Sequence, residues 1–297
     1  MNTFLSLTKR NVKMFFKDKG MFFTSLITPI ILLVLYATFL AKIYRDSFAS
    51  ALPEGFTIDE KLISATVGGQ LMSSLLAVSC VTVSFCANLL MVQDKVNGAR
   101  KDMLVTPVRR SVVASSYYVG TLLTTVIVSL VATGACFIYL AINGWYLSFG
   151  DVMLIILDVV ILTMFGTALA SVVNVFLTSS GQASAVGTVV SAGYGFICGA
   201  YMPINQFGSG LQKVLSLLPG TYGTSLIRNH CLGGVFREMS AVGFPSEVVE
   251  GIKESIDCNI SFFGNTVSIG AMYAVILGAT ALLIGAFVLI NVLRKRA

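Results

Sequence analysis

Charge is scarce in this chain. Only 11% of its 297 residues are Asp, Glu, Lys or Arg, whereas a water-soluble domain carries about 25%. A soluble fold must cover its surface with polar side chains, and 20 basic plus 14 acidic residues are too few for one of this size. Histidine is scarcer still, with His230 alone, which leaves a Ser–His triad or an HExxH zinc helix little to build on. The six cysteines form no CxxC pair and no Cys/His metal spacing, so neither a disulfide scaffold nor a zinc module is expected. No Gly-Lys dipeptide occurs. That removes the GxxxxGK[ST] phosphate loop, so any ATP the chain uses is not bound by a P-loop of its own.

Apolar residues fill the space that charge leaves: 56% of the chain is hydrophobic and its mean hydropathy is +0.85. A helix needs about 20 predominantly apolar residues to cross a bilayer. Six segments meet that length, at approximately 21–41, 68–92, 112–142, 152–177, 182–202 and 267–293. They predict an all-α integral membrane protein of six transmembrane helices, a single transmembrane domain over 1–297. The net charge of +6 then needs no nucleic acid to explain it, because Lys and Arg collect on the cytoplasmic side of membrane proteins. With the N-terminus inside, thirteen of the 20 basic residues are cytoplasmic and seven lie on longer outer loops. Both termini are expected in the cytoplasm.

Ahead of the first span, Phe4, Leu5, Val12, Phe15 and Phe16 recur at helical spacing, with Lys9, Lys13 and Lys17 four apart on another face. That pattern predicts an interfacial amphipathic helix over 1–20, with its lysines near anionic lipid headgroups. On the other side, 203–266 holds two kinds of sequence. Phe207, Leu211, Val214, Leu215 and Leu218 make one helical face that Pro219-Gly220 stops, and a second short helix can start at Thr221. Neither piece is long enough to span, so a re-entrant hairpin is expected. From Gly233 to Asn265 the chain turns polar and acidic, as a small extracytoplasmic cap would.

The loop between the second and third spans, 93–110, is the most informative stretch. It is charged, carries Gly98 and Pro107, and puts Val96, Ala99 and Met103 on one face of a short helix. Such an element, fixed between two membrane helices, can pass force from a cytoplasmic partner into the spans. Asp94, Gly98, Asp102, Leu104, Thr106 and Pro107 follow the pattern of an acid, a glycine four on, a second acid, a leucine and Thr-Pro. In this the stretch resembles the loop of the ABC type-2 transporter permeases. Asp94 stands where that family usually has Glu, and Ala99 where Thr or Ser is common. A second stretch, from Gly195 through Arg228, resembles the end of the family's fifth span and its broken outer helices, with Met202-Pro203 and Leu218-Pro219 at the turns.

The resemblance implies a permease subunit of an ATP-driven exporter, in a bacterial plasma membrane. Two six-span copies, identical or different, would form the substrate path. Each would bind a cytoplasmic ATPase through Asp94, Gly98, Asp102, Met103, Leu104 and Pro107. The chain itself would be no enzyme and hold no cofactor, with ATP and Mg²⁺ in the partner. Two other classes remain as alternatives, a membrane-embedded lipid-modifying enzyme and an ion-coupled secondary transporter. The first needs His, Asp or Glu clustered at one interface, and the second usually shows several intramembrane charges.

Polar residues within the spans are read two ways. Asp158 is either a substrate or proton contact, or an outer-leaflet acid bonded to a neighbouring helix. Ser73, Ser74, Ser79, Thr82 and Ser84 either line a path or bond their own backbone. Ala183, Gly187, Ser191, Gly195 and Gly199 follow at every fourth residue, a small-residue stripe for close helix packing, between copies or within one. Cys231 and Cys258 are the two cysteines expected outside the membrane, either bridged or free.

Overall fold

A computed structural model describes residues 2–35, 38, 42, 59–262 and 264–293. The outer end of the first expected span lies largely outside these residues, as do Arg45 and the basic tail 294–297. The described chain is helical apart from one two-stranded antiparallel ribbon. In order the helices are α1 (Asn2–Lys17), α2 (Lys19–Leu35), α3 (Glu60–Val96), α4 (Ala99–Val105), α5 (Arg110–Asn143), α6 (Phe149–Asn174) and α7 (Ser180–Ile197). A 3₁₀ turn (Ile204–Gln206), α8 (Ser209–Leu215), α9 (Pro219–Ala241) and α10 (Ser246–Ser255) follow. Then come β1 (Ser261–Phe262), β2 (Asn265–Thr266) and α11 (Ile269–Leu293).

Four of the described helices, α3, α5, α6 and α11, are each long and apolar enough to cross a membrane. The pair α1/α2, bent by 73°, makes five if it counts as one span. The chain is therefore a multi-pass all-α membrane protein, but the expected six spans are not all matched. Of the expected span 21–41, part lies outside the described residues, and α2 covers Lys19–Leu35. α7 is diluted by glycine and hydroxyl side chains and stops at Ile197, because Gly199 turns left-handed at φ 72°.

Sequence-local chemistry starts these helices. Ser148 and Asp151 form a capping box at α6, the Asp59 carboxylate accepts from Lys61 N at α3, and Ser179 Oγ accepts from Gln182 N at α7. These acceptors satisfy backbone N–H groups that have no partner within the helix.

The packing centres on α3. It is buried on nearly every side, by α5, α6, α9, α2 and α7. Gly166 of α6 lets the two backbones close up, since a Cβ there would lie 3.0 Å from Cys80 O and Val81 Cα. The outer hairpin differs from expectation. Pro219 opens a helix instead of only ending one, as suits proline at the first helical position. α9 then runs 23 residues through Gly233, where a polar cap was expected to begin, and most of it is buried against α3, α6 and α11. The cap is reduced to α10 and the β-ribbon, closed over a smaller cluster around Phe244, Val249 and Cys258.

Candidate functional site

The loop between α3 and α5 is held by its own backbone and by side chains from its neighbours. α3 closes with Asn97 N donating to Gln93 O at 2.8 Å. Gly98 then takes φ 83° with no side chain in its way, which reverses the chain into α4 without the steric cost a Cβ would bring. α4 is seven residues long, and the Thr106 hydroxyl donates back to Met103 O at 2.5 Å to finish it. Met103, Leu104 and Val108 turn inward against Met91, Tyr117 and Phe287. Lys101, Asp102, Thr106 and Pro107 are exposed, and Val105 is 88% exposed.

Three polar anchors, Asp94, Lys95 and Arg100, bolt this element to four other helices. Asp94 is buried and paired with Arg10 of α1, whose Nη1 and Nη2 reach the two carboxylate oxygens, the second at 3.0 Å. Tyr117 OH of α5 donates to the same carboxylate at 2.6 Å. Lys95 Nζ donates to the carbonyls of Asn174, Val175 and Leu177 at 3.0, 2.7 and 3.1 Å, so a cation caps the C-terminal end of α6. Arg100 Nη2 donates to Asn291 Oδ1 of α11 at 3.0 Å.

Of the residues expected to meet a partner, the structure therefore brings Asp102 and Pro107 to the surface. It turns Met103 and Leu104 inward, gives Gly98 to the backbone turn, and takes Asp94 inside altogether. Arg10, Tyr117, Lys95 and Asn291 were not singled out from sequence. Arg10 carried a signal, since it is an arginine beside a row of lysines, and a guanidinium fork suits a buried carboxylate as an ammonium does not.

The intramembrane polar residues form part of the interior of one subunit. Asp158 accepts from Tyr273 OH of α11 and lies 2.5 Å from His230 Nδ1 of α9, so it is the bonded acid of the second reading. Ser73 and Ser74 are both buried; Ser73 O–H donates to Gln70 O at 2.8 Å, and Ser74 Oγ accepts from Arg228 Nη2 at 3.3 Å. Thr82 and Ser84 likewise donate to carbonyls of their own helix at 3.0 and 2.7 Å. Ser73, Ser74 and Asp158 are thus each bonded within the fold. Arg228 is fully buried and also donates to Ile256 O at 2.6 Å and Gly199 O at 2.9 Å, which ties cap, α7 end and α9 together. A charge in the apolar run Thr221–Gly234 was its sequence signal.

Cys231 and Cys258 are buried free thiols, so the bridge expected as one alternative is not formed. Burial pushes the Cys258 thiol up to about 12. The small-residue stripe divides in two. A Cβ at Gly195 would meet the Tyr201 ring at 2.3 Å, and Gly199 lies beyond the helix in a left-handed turn, so both serve packing within one chain. Ala183, Gly187 and Ser191 instead line an open apolar groove of about 830 Å³ between α2 and α7, opposite Ile27, Ile31 and Leu35. Nothing lies within 4 Å of a Cβ added to Gly187.

Among the described residues, no group of three or more His, Cys, Asp and Glu is arranged to hold a metal. No curated protein matches the chain. A family model for the ABC-2 type transporter matches residues 2–231, a stretch that begins with α1, contains the anchored loop and the α2/α7 groove, and ends within α9. On that match, over well beyond half its length, the chain belongs to the ABC-2 type transporter family.

Proposed function

We propose that this chain is the permease subunit of an ATP-driven exporter. In this reading α4 receives a cytoplasmic ATPase that holds the ATP and Mg²⁺, and two permease copies enclose the substrate path. The observation that carries it is one exposed seven-residue helix held to α11 by Arg100 and joined through Gly98 to the end of α3, which Asp94 and Lys95 fix to α1 and α6. A merely solvated loop has no need of such anchors. A partner pressing on Lys101, Asp102 and Val105 would move several helices together. α3 would carry that movement to the far end, since its 37 residues at about 1.5 Å per residue give roughly 55 Å of rod. There Gly69 packs against Leu232 and Ser74 meets Arg228, which puts α9 and the cap within reach of the push.

The α2/α7 groove is the natural face for the second copy and for substrate. It is apolar, open, and lined on one wall by small residues that admit a close backbone. In this arrangement α2 and α7 both span, which restores six spans, and the positive-inside charge split puts both termini in the cytoplasm.

The test is site-directed cross-linking in native membranes. An Asp102→Cys variant carrying a photoreactive thiol label should cross-link to a P-loop ATPase, identified by mass spectrometry. An Asn143→Cys variant, at the other end of α5, should not. Cross-links from Asp102 that contain no ATPase would reject the reading.

A further inference from the structure

α1 does more than precede the first span. Taken at about 100° per residue, its side chains fall into separate arcs. Thr8, Asn11 and Phe15 form one arc and are buried, on the side that packs against α5. Gly120 permits that approach, with Asn11 Cβ at 2.8 Å from where its own Cβ would be. Leu5 and Phe16 lie next round the helix and are 57% and 39% exposed, continuous in character with Phe23 of α2 at 62%. Lys9, Lys13 and Lys17 follow as an exposed row opposite the buried arc. Arg10 closes the circuit on the side of the anchored loop, where it holds Asp94.

The 73° bend between α1 and α2 fixes what these arcs face. If α2 stands along the membrane normal, α1 lies close to the membrane plane. Leu5 and Phe16 then enter the acyl region, Arg10 points to the cytoplasmic loop, and the lysine row sits between the two, at headgroup depth. Acid is nearly absent from α1 and its bend. Among residues 2–20 Asp18 is the one acidic side chain, and it is engaged in accepting from Met21 N at 3.1 Å. The row is therefore a stripe of positive charge, backed by apolar anchors, at the level of lipid phosphate.

We propose that α1 binds anionic phospholipid headgroups through Lys9, Lys13 and Lys17, and that this binding sets the position of the α3–α4 loop through Arg10 and Asp94. Membrane surface charge would then regulate the transporter. The proposal rests on the orientation and coupling proposed above, but its first half is read by binding alone. At about 1 kcal/mol per lysine near an anionic surface, or roughly fivefold each, three lysines support a preference of about tenfold or more for anionic over zwitterionic lipid.

The experiment uses the whole permease in vesicles of phosphatidylcholine with increasing phosphatidylglycerol. A Phe16→Trp, Trp145→Phe variant places the single tryptophan beside the lysine row. Brominated phosphatidylglycerol should quench it far more strongly than brominated phosphatidylcholine at equal bromine content. Replacing Lys9, Lys13 and Lys17 by Gln should abolish the difference. Equal quenching by the two lipids in the lysine-bearing protein, or a preference that survives the triple replacement, would overturn the binding site. In the complex with the ATPase, hydrolysis should rise several-fold with phosphatidylglycerol in the unmodified protein and stay flat in the triple Gln variant. The two proteins should be alike in pure phosphatidylcholine. A lipid preference in quenching with lipid-independent hydrolysis in an active complex would overturn the link through Arg10. A permease that shows the quenching preference but binds no ATPase would instead refute the coupling reading and leave the lipid site standing.

Discussion

Arg10 and Asp94, 84 residues apart in sequence, meet as a two-pronged ion pair that joins the N-terminal helix to the last turn of α3. Tyr117 OH donates to the same buried carboxylate, so Asp94 is engaged by both α1 and α5 of its own chain. Asp94 is buried, whereas the Arg10 side chain is 29% exposed. Arg10→Ala leaves the carboxylate inside with Tyr117 alone and should clearly destabilise the purified permease, read as loss of monodisperse protein on heating in detergent. Asp94→Ala leaves a guanidinium that water can reach and should cost less. The double replacement Arg10→Met, Asp94→Leu should be clearly milder than the sum of the single changes. Strict additivity would mean that the pair does not hold the fold.

Gly98 makes a separate demand on the backbone. At φ 83° an L side chain is disfavoured by about 1–2 kcal/mol, although the space around it is open. Asn tolerates this region better than β-branched residues do. Gly98→Asn should keep most ATPase copurification and transport, whereas Gly98→Val should lose both at equal permease levels in the membrane. Equal behaviour of the Asn and Val variants would show that the left-handed turn is not what the loop needs.

Cys231 and Cys258 give a prediction about reactivity. The thiolate is the reacting form, and burial that lifts the Cys258 thiol to about 12 leaves almost none near neutral pH. Both cysteines should resist a maleimide in the folded protein and label fully after denaturation without reductant. Mass spectrometry of non-reduced peptides checks this, and a linked Cys231–Cys258 peptide would contradict it.

What could be read from sequence follows the physics of each signal. The apolar runs and the amphipathic N-terminus rest on local rules, and four of the runs are seen as α3, α5, α6 and α11, with α3 starting at Glu60 where the expected span began at 68. α9 was misread because Pro219-Gly220 looks like a stop and Arg237 and Glu238 look like surface. Arg237 is indeed exposed, yet it pairs with Asp151 of α6, while Leu232, Val235, Phe236 and Met239 of the same helix are buried. Asp94 could be recognised as important but not as internal. Its partners lie on α1 and α5, and no local pattern indicates which helix will cross the end of α3. The hydroxyl row of α3 admitted two readings for a related reason: a helix buried on all sides and a helix lining a pore can have the same composition.

The divided stripe on α7 gives the sharpest contrast between folding and assembly. Gly195 is closed off by Tyr201 of its own chain, whereas Gly187 looks into the open groove against α2. Gly195→Leu should therefore fail at the level of the single subunit, with little folded protein recovered. Trimming the ring with Tyr201→Ala should restore part of the yield. At Gly187 an added Cβ meets nothing within 4 Å and the groove beyond it is open, so the Gly187→Leu permease should fold and insert normally. If the groove receives a second copy, that leucine should hold the two backbones apart. Dimer cross-linking through introduced cysteines at Ser184 would then fall severalfold, and transport with it. A Gly187→Leu permease that folds, cross-links and transports like the unmodified protein would place the second copy on another face.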